Sequence, residues 1–152
     1  MTAPVIALTS GDPAGVGPEI AVMARAHLGR SLPFVWIGDP RHLPPGTTHR
    51  LIDTPQQALD LPATHLPVLP HAFARPALPG QPAPENAAAT IAVIERATAL
   101  VQTGAAAALC TAPINKSVLV AGAGFAFPGH TEFLAHLAGV DRVVMMLVAP
   151  GL

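Results

Sequence analysis

The stretch VIALTSGDPAGVGPE, Val5 to Glu19, joins a short apolar run to a glycine-rich loop and then to a helix start. Val5 to Ser10 is β-branched and apolar and stops at Gly11, the pattern of a buried strand. Pro18 suits the first turn of a helix, where its missing N–H would be unpaired anyway, and Glu19 complements the positive end of the helix dipole. Ile20, Met23, Ala24 and Leu28 recur at helical spacing as far as Gly29, which supplies a stop. Phe34 to Gly38 (FVWIG) reads as a second strand. Strand, loop, helix, strand is the opening of a βαβ unit, so a parallel sheet covered by helices is expected.

Beyond Gly38 the pattern weakens, because repeated prolines between Pro44 and Pro84 interrupt regular structure. A short helix over Pro55 to Leu61 and an edge strand near Leu66 to Leu69 are the readable elements there. Periodicity returns with Glu85 to Thr103, a mostly apolar helix ended by Gly104. Ala106 to Thr111 follows as a buried strand, Ser117 to Ala123 as a short helix, Gly129 to Leu137 as another, and Val143 to Val148 (VVMMLV) as a further strand. A core strand so near the last residue is unusual for a complete α/β protein, so a fragment is expected.

Composition narrows the function classes. The net charge of −1 gives no electrostatic case for nucleic acid or an anionic membrane surface. No apolar stretch approaches the roughly 20 residues that span a bilayer, and no basic leader precedes the apolar run at Val5, so a cytoplasmic protein is expected. The single cysteine, Cys110, cannot form an internal disulfide and reads as a packed residue on its strand. Only 11% of the residues are charged, which suggests surface that another domain or subunit covers.

Three segments could carry chemistry. Gly11, Gly15 and Gly17 have the spacing G-x3-G-x-G, which matches neither the dinucleotide fingerprint nor the P-loop. The loop still lies at the carboxyl end of a strand, where open α/β sheets bind ligands and where glycine permits sharp turns and close approach. A tight βα turn is the plainer reading. The second segment, Cys110 to Lys116 (CTAPINK), also follows a strand. Lys116 is the only lysine among eight basic residues, and a compact ammonium there could meet an anionic group as a point charge. The plainer alternative is a solvated lysine in the first turn of a helix. The third segment is Phe127 to Phe133 (FPGHTEF), which places His130 and Thr131 at a helix start, a natural anion site. The alternative is a capping Thr131 and a packed His130. The other histidines, His27, His42, His49, His65, His71 and His136, show no metal-ligand spacing, and most are expected at the surface.

Taken together, LTSGDPAGVGPE at Leu8 to Glu19, TAPINK at Thr111 to Lys116, FPGHTEFLA at Phe127 to Ala135 and MMLV at Met145 to Val148 resemble the 4-hydroxythreonine-4-phosphate dehydrogenase family in order and spacing. The resemblance spans the chain apart from its proline-rich middle. It implies a three-layer α/β/α fold similar to isocitrate and isopropylmalate dehydrogenases, with residues 1–126 in a first domain and 127–152 beginning a second. It implies a homodimer that uses NAD or NADP and a divalent metal (zinc, magnesium or cobalt) to oxidise and decarboxylate a phosphorylated hydroxy acid on the way to pyridoxal phosphate. His130 and Thr131 match the family's substrate-binding pair, Lys116 matches the lysine of its TAPINK motif, and Gly11, Asp12, Gly15 and Gly17 match a loop near the cofactor and the cleft. The family holds its metal through three histidines that lie beyond the strand matching Val143 to Val148, so this chain is expected to lack them and to be inactive alone. Two alternatives stay open: a paralogue acting on another phosphorylated hydroxy acid or a diol acid, and a non-catalytic domain that binds a small anion or pairs with another chain.

Overall fold

The computed structural model describes residues 4–29 and 31–149. Its centre is a five-stranded sheet in the order β3-β4-β2-β1-β5, built from β1 (Ile6–Thr9), β2 (Phe34–Gly38), β3 (His49–Leu51), β4 (Leu66–Pro70) and β5 (Ala108–Cys110). Every pairing is parallel, with Ile6 opposite Phe34 and Ala108, and Trp36 opposite Val68. Parallel strands need crossovers, and helix α1 (Gly17–Leu28) and helix α2 (Ala87–Gln102) supply them. Alternation along β2 sends Phe34 and Trp36 to one face, with Ala21 of α1, and Val35 and Ile37 to the other, with Val93 and Ala97 of α2. The result is three layers, helix, sheet, helix. Helices α3 (Lys116–Ala123) and α4 (His130–Ala138) pack on the outer side of α2, where Leu119, Phe125 and Phe133 close on Ala87 and Ile94.

The α1 boundaries follow the sequence reading, with proline in the first turn and Gly29 at φ 55° ending it. Its buried side is different. Ile20 and Met23 face outward, Met23 at 70% exposure, while Gly17, Pro18, Ala21 and Arg25 face inward. Arg25 can occupy an inner position because its guanidinium donates to the carbonyls of Gly29, Pro62 and His65 at 2.9 Å each, tying α1 to the loop before β4. In α2 the buried face is Ala87, Thr90, Val93, Ile94, Ala97 and Thr98, and the hydroxyls of Thr90 and Thr98 donate to the carbonyls four residues earlier and so need no outside partner.

The proline-rich middle is more ordered than its composition suggests. Leu66 to Pro70 is not an edge strand: it lies between β3 and β2, and Leu66, Val68 and Leu69 are buried. The edge is β3, a three-residue polar strand that carries no apolar alternation to announce it. The Leu66 N–H donates to the Thr48 carbonyl and the Val68 carbonyl accepts from the Ile52 N–H, so the intervening Pro67 turns its nitrogen toward β2, whose pairing with β4 begins only at Trp36 opposite Val68. Pro55 to Asp60 is a 3-10 helix rather than an α-helix, started by a capping box between Thr54 and Gln57.

Two strand readings need correction. The strand read as Ala106 to Thr111 shortens to β5, which pairs with β1 alone and leaves Ala107, Ala108 and Cys110 exposed. Cys110 is therefore at an open sheet edge and not packed in the core. Val143 to Val148 forms no strand: Leu147 is 89% exposed and no described strand lies beside the segment to accept its hydrogen bonds. Apolar β-branched residues make a strand only where a ladder and a packing face exist.

Candidate active site

The loops after β1 and β5 meet at the carboxyl edge of the sheet. From β1 the chain crosses to β2 on one side, and β5 returns on the other, so these two loops flank the point where strand order reverses. They are stitched together. The Ala112 N–H donates to the Thr9 side-chain oxygen at 3.1 Å, and the Asp12 N–H donates to the Pro113 carbonyl at 2.9 Å. Asp12 also accepts from the Ala14 N–H at 2.9 Å, bending the loop into a tight turn.

The glycines have separate reasons. A side chain on Gly11, which sits at φ 68°, would overlap the Pro113 carbonyl, and one on Gly17 would overlap the Ser10 carbonyl. Both glycines are thus required by contacts inside the protein. Gly15 is exposed at the loop's rim, and Asp12, Pro13 and Ala14 are buried beneath it. Of the four loop residues singled out from sequence, Gly15 is the one with a face open to a ligand.

Lys116 opens α3 and is exposed. The helix is capped by Asn115, whose side-chain oxygen accepts from the Val118 N–H and, at 2.8 Å, from the Ser117 hydroxyl. Lys116 is thus held at a helix start, close in sequence to the stitched Ala112 and Pro113. Among the described residues the ion pairs are Arg41–Asp39 and Arg75–Glu85, and Lys116 belongs to neither.

His130 and Thr131 open α4, as the sequence suggests, but Thr131 does not cap it. The cap position is Gly129, with no side-chain hydrogen bond. The His130 Nε2 is buried without a hydrogen-bond partner, and burial lowers the pKa of the ring below its ordinary 6.5. The neutral imidazole thus keeps an unsatisfied nitrogen at a helix end lacking a side-chain cap, a polar group that a ligand atom or a water would satisfy. Phe133, one turn on, anchors α4 against Phe125 with ring centroids 5.1 Å apart.

A further cluster at this edge escaped the sequence reading. Asp39, just past β2, accepts from the Arg41 guanidinium at 2.7 Å and from the Phe73 N–H at 3.0 Å. Burial pushes its carboxyl up, but the hydrogen bonds from Arg41, Phe73 and the Arg41 backbone outweigh it and hold the pKa at about 2. Beside it, His42 is buried, against the expectation of a surface histidine. Its Nε2 lies 3.2 Å from the Arg75 carbonyl, and Phe73 packs edge-on to its ring. The sequence signal was available: Asp-Pro-Arg immediately after a strand is an Asx-type start for a 3-10 turn, here Pro40–His42. The cluster clasps the loops after β2 and β4 and so supports the edge. A cavity of about 420 Å3 lies elsewhere: it is lined by Arg25, Thr47, Thr48 and Thr64 at the opposite, amino end of the sheet.

No group of three histidine, cysteine or acidic side chains comes together as a metal site among the described residues, so the residues present do not fit the metal that the resemblance implies. Residues 30–152 match the family described as pyridoxal phosphate biosynthetic protein PdxA. The chain belongs to this family. It is 55% identical over 148 residues to a 4-hydroxythreonine-4-phosphate dehydrogenase of Ruegeria sp. (strain TM1040), a match covering 97% of this chain and 45% of that protein. The crystal structure of a 4-hydroxythreonine-4-phosphate dehydrogenase from Burkholderia phymatum superposes with a TM-score of 0.83 at 40% identity, over 97% of this chain and 47% of that one. The terephthalate 1,2-cis-dihydrodiol dehydrogenase from Burkholderia xenovorans LB400 superposes less closely, with a TM-score of 0.65 at 28% identity over 90% and 41% of the two chains. The PdxA-family chain described here therefore spans about half the length of the relatives it matches.

Proposed function

We propose that this chain is the N-terminal part of an NAD- or NADP-dependent dehydrogenase that oxidises and decarboxylates 4-hydroxythreonine 4-phosphate in pyridoxal phosphate biosynthesis. The single observation that carries the reading is the buried, unpaired His130 Nε2 at the start of α4, in a chain 55% identical to a protein with that name. In this reading His130 and Thr131 bind the polar end of the substrate, and Lys116 neutralises an anionic group on it. The loop Gly11 to Gly17, with Asp12 shaping it and Gly15 exposed, forms a wall of the cleft near the cofactor. The nicotinamide supplies a hydride acceptor when bound, and this chain's part is to orient the substrate hydroxyl and exclude water. The second domain is entered from residue 127 onward, although α4 itself still packs on α2 through Phe133, and the whole enzyme is a cytoplasmic homodimer.

A second reading is a paralogue that oxidises a cyclic diol acid, favoured by the similarity to the dihydrodiol dehydrogenase. The closer superposition, 0.83 against 0.65, ranks it second.

The test is His130→Ala in the full-length enzyme. Removing an unpaired buried nitrogen deletes no hydrogen bond within the chain, so Tm should move little. Loss of a contact to a charged or polar ligand should lower kcat/KM by about tenfold or more. An unchanged kcat/KM would refute the role.

A further inference from the structure

We propose that Thr9 is a positioning residue of this cleft, whose side-chain oxygen holds the Lys116 loop in register with the loop Gly11 to Gly17. The proposal rests on the reading that Lys116 contacts the substrate.

The pairing of β5 with β1 ends at Leu8 opposite Cys110. Ala112 lies past that ladder and is 5% exposed, so its N–H has neither a strand partner nor free access to water. It finds the oxygen of Thr9, the last residue of β1, which is fully buried. The bond joins residues 103 positions apart. The other restraints on the loop are of a different kind. The Asp12 to Pro113 bond runs between backbones, and the Asn115 cap is local to α3 and orders the helix without fixing it to the sheet. Thr9 is the side chain that ties this loop to the sheet. Pro113 follows at once and restricts the turn toward Lys116. Valine would fill the same volume at the end of a buried strand, so the hydroxyl is what the seam uses. Removing it leaves the Ala112 N–H buried and unpaired, and the loop must shift or open to water to satisfy it.

The experiment compares full-length wild-type enzyme with Thr9→Val, Thr9→Ser, Lys116→Met and the core variant Val93→Ala, which serves as a stability control. Two properties are read: KM and kcat for 4-hydroxythreonine 4-phosphate, and the acetylation rate of Lys116 by acetic anhydride, mapped on its own peptide by mass spectrometry. Thr9→Val should raise KM by about tenfold with a smaller effect on kcat, and should change Lys116 acetylation at least about threefold. Thr9→Ser should restore both, because it keeps the acceptor. Val93→Ala should alter neither at a comparable loss of Tm. Wild-type KM and acetylation in Thr9→Val, or the same changes in the core control, overturn the proposal. If Lys116→Met raises KM while Thr9→Val does not, only the role of Thr9 falls. If Lys116→Met leaves KM unchanged, the substrate contact of Lys116 falls and the proposal with it. Should Thr9→Val not fold, Thr9→Cys, which keeps the size but weakens the acceptor, is read by the same outcomes.

Discussion

Among single residues, chemistry in this chain depends on what each side chain is denied. Lys116 has no ion-pair partner among the described residues and stays exposed at the start of α3. Lys116→Arg keeps the charge but replaces a compact ammonium with a planar fork. Steady-state kinetics of the full-length enzyme should show kcat/KM reduced by about tenfold; normal kinetics would identify a merely solvated lysine. Asp39 is the opposite case, a carboxylate surrounded by donors. Its folded pKa of about 2 lies below the ordinary 3.8, so its stabilising contribution is present above about 3.8 and is lost as pH falls toward 2. Asp39→Asn should lower Tm at neutral pH and flatten the fall of Tm between those values, as followed by circular dichroism. A Tm profile parallel to wild type through that range would contradict the clasp. Both residues carry visible local signals, Lys116 as the only lysine and Asp39 as Asp-Pro after a strand. The burial of His42 was not legible, because it depends on Phe73 and Arg75, which arrive more than thirty positions later.

For the elements, boundaries were more readable than faces. Pro18 and Gly29 bracket α1 by backbone chemistry that acts locally, so the helix sits where the sequence places it. Which side it buries is a matter of what lies opposite. The small Ala21 and the carbonyl-bonded Arg25 fit against the sheet, and the larger Ile20 and Met23 are left outside. The same limit applies to β5 and to Val143 to Val148, whose composition announces strands but whose neighbours determine whether a ladder forms. The seam between the loops after β1 and β5 was partly legible, since its glycines mark close approach. The contacts that use them, with Pro113 and Ser10, come only from the fold. Gly17→Ala places a methyl group against the Ser10 carbonyl and the Ala112 side chain. Overpacking of this kind costs about 1–3 kcal/mol, so the urea midpoint of the full-length enzyme should drop with an unchanged m-value. A midpoint equal to wild type would show that the seam can open at no cost.

At the scale of the whole molecule, exposed apolar surface gathers in two described places. Cys110, Ile20, Leu32 and Leu28 line an apolar trough beside the open edge of β5, and Val143 to Val148 is exposed throughout. Surface of this kind is covered in most soluble proteins, and the low charge content of the sequence already pointed to it. The relatives it matches are about twice as long as this chain. The fold class and the four motif-bearing segments could be read in the sequence because each is short and local. The cleft could not, because it is assembled from loops far apart in the chain.

The measurement that bears most directly on this account is turnover by the full-length protein with NAD or NADP, comparing 4-hydroxythreonine 4-phosphate with a cis-dihydrodiol of an aromatic acid. The account predicts reduced nicotinamide and carbon dioxide from the phosphorylated substrate, at a kcat/KM well above that for the diol. Reduced nicotinamide from the diol alone, or from neither compound, would contradict it.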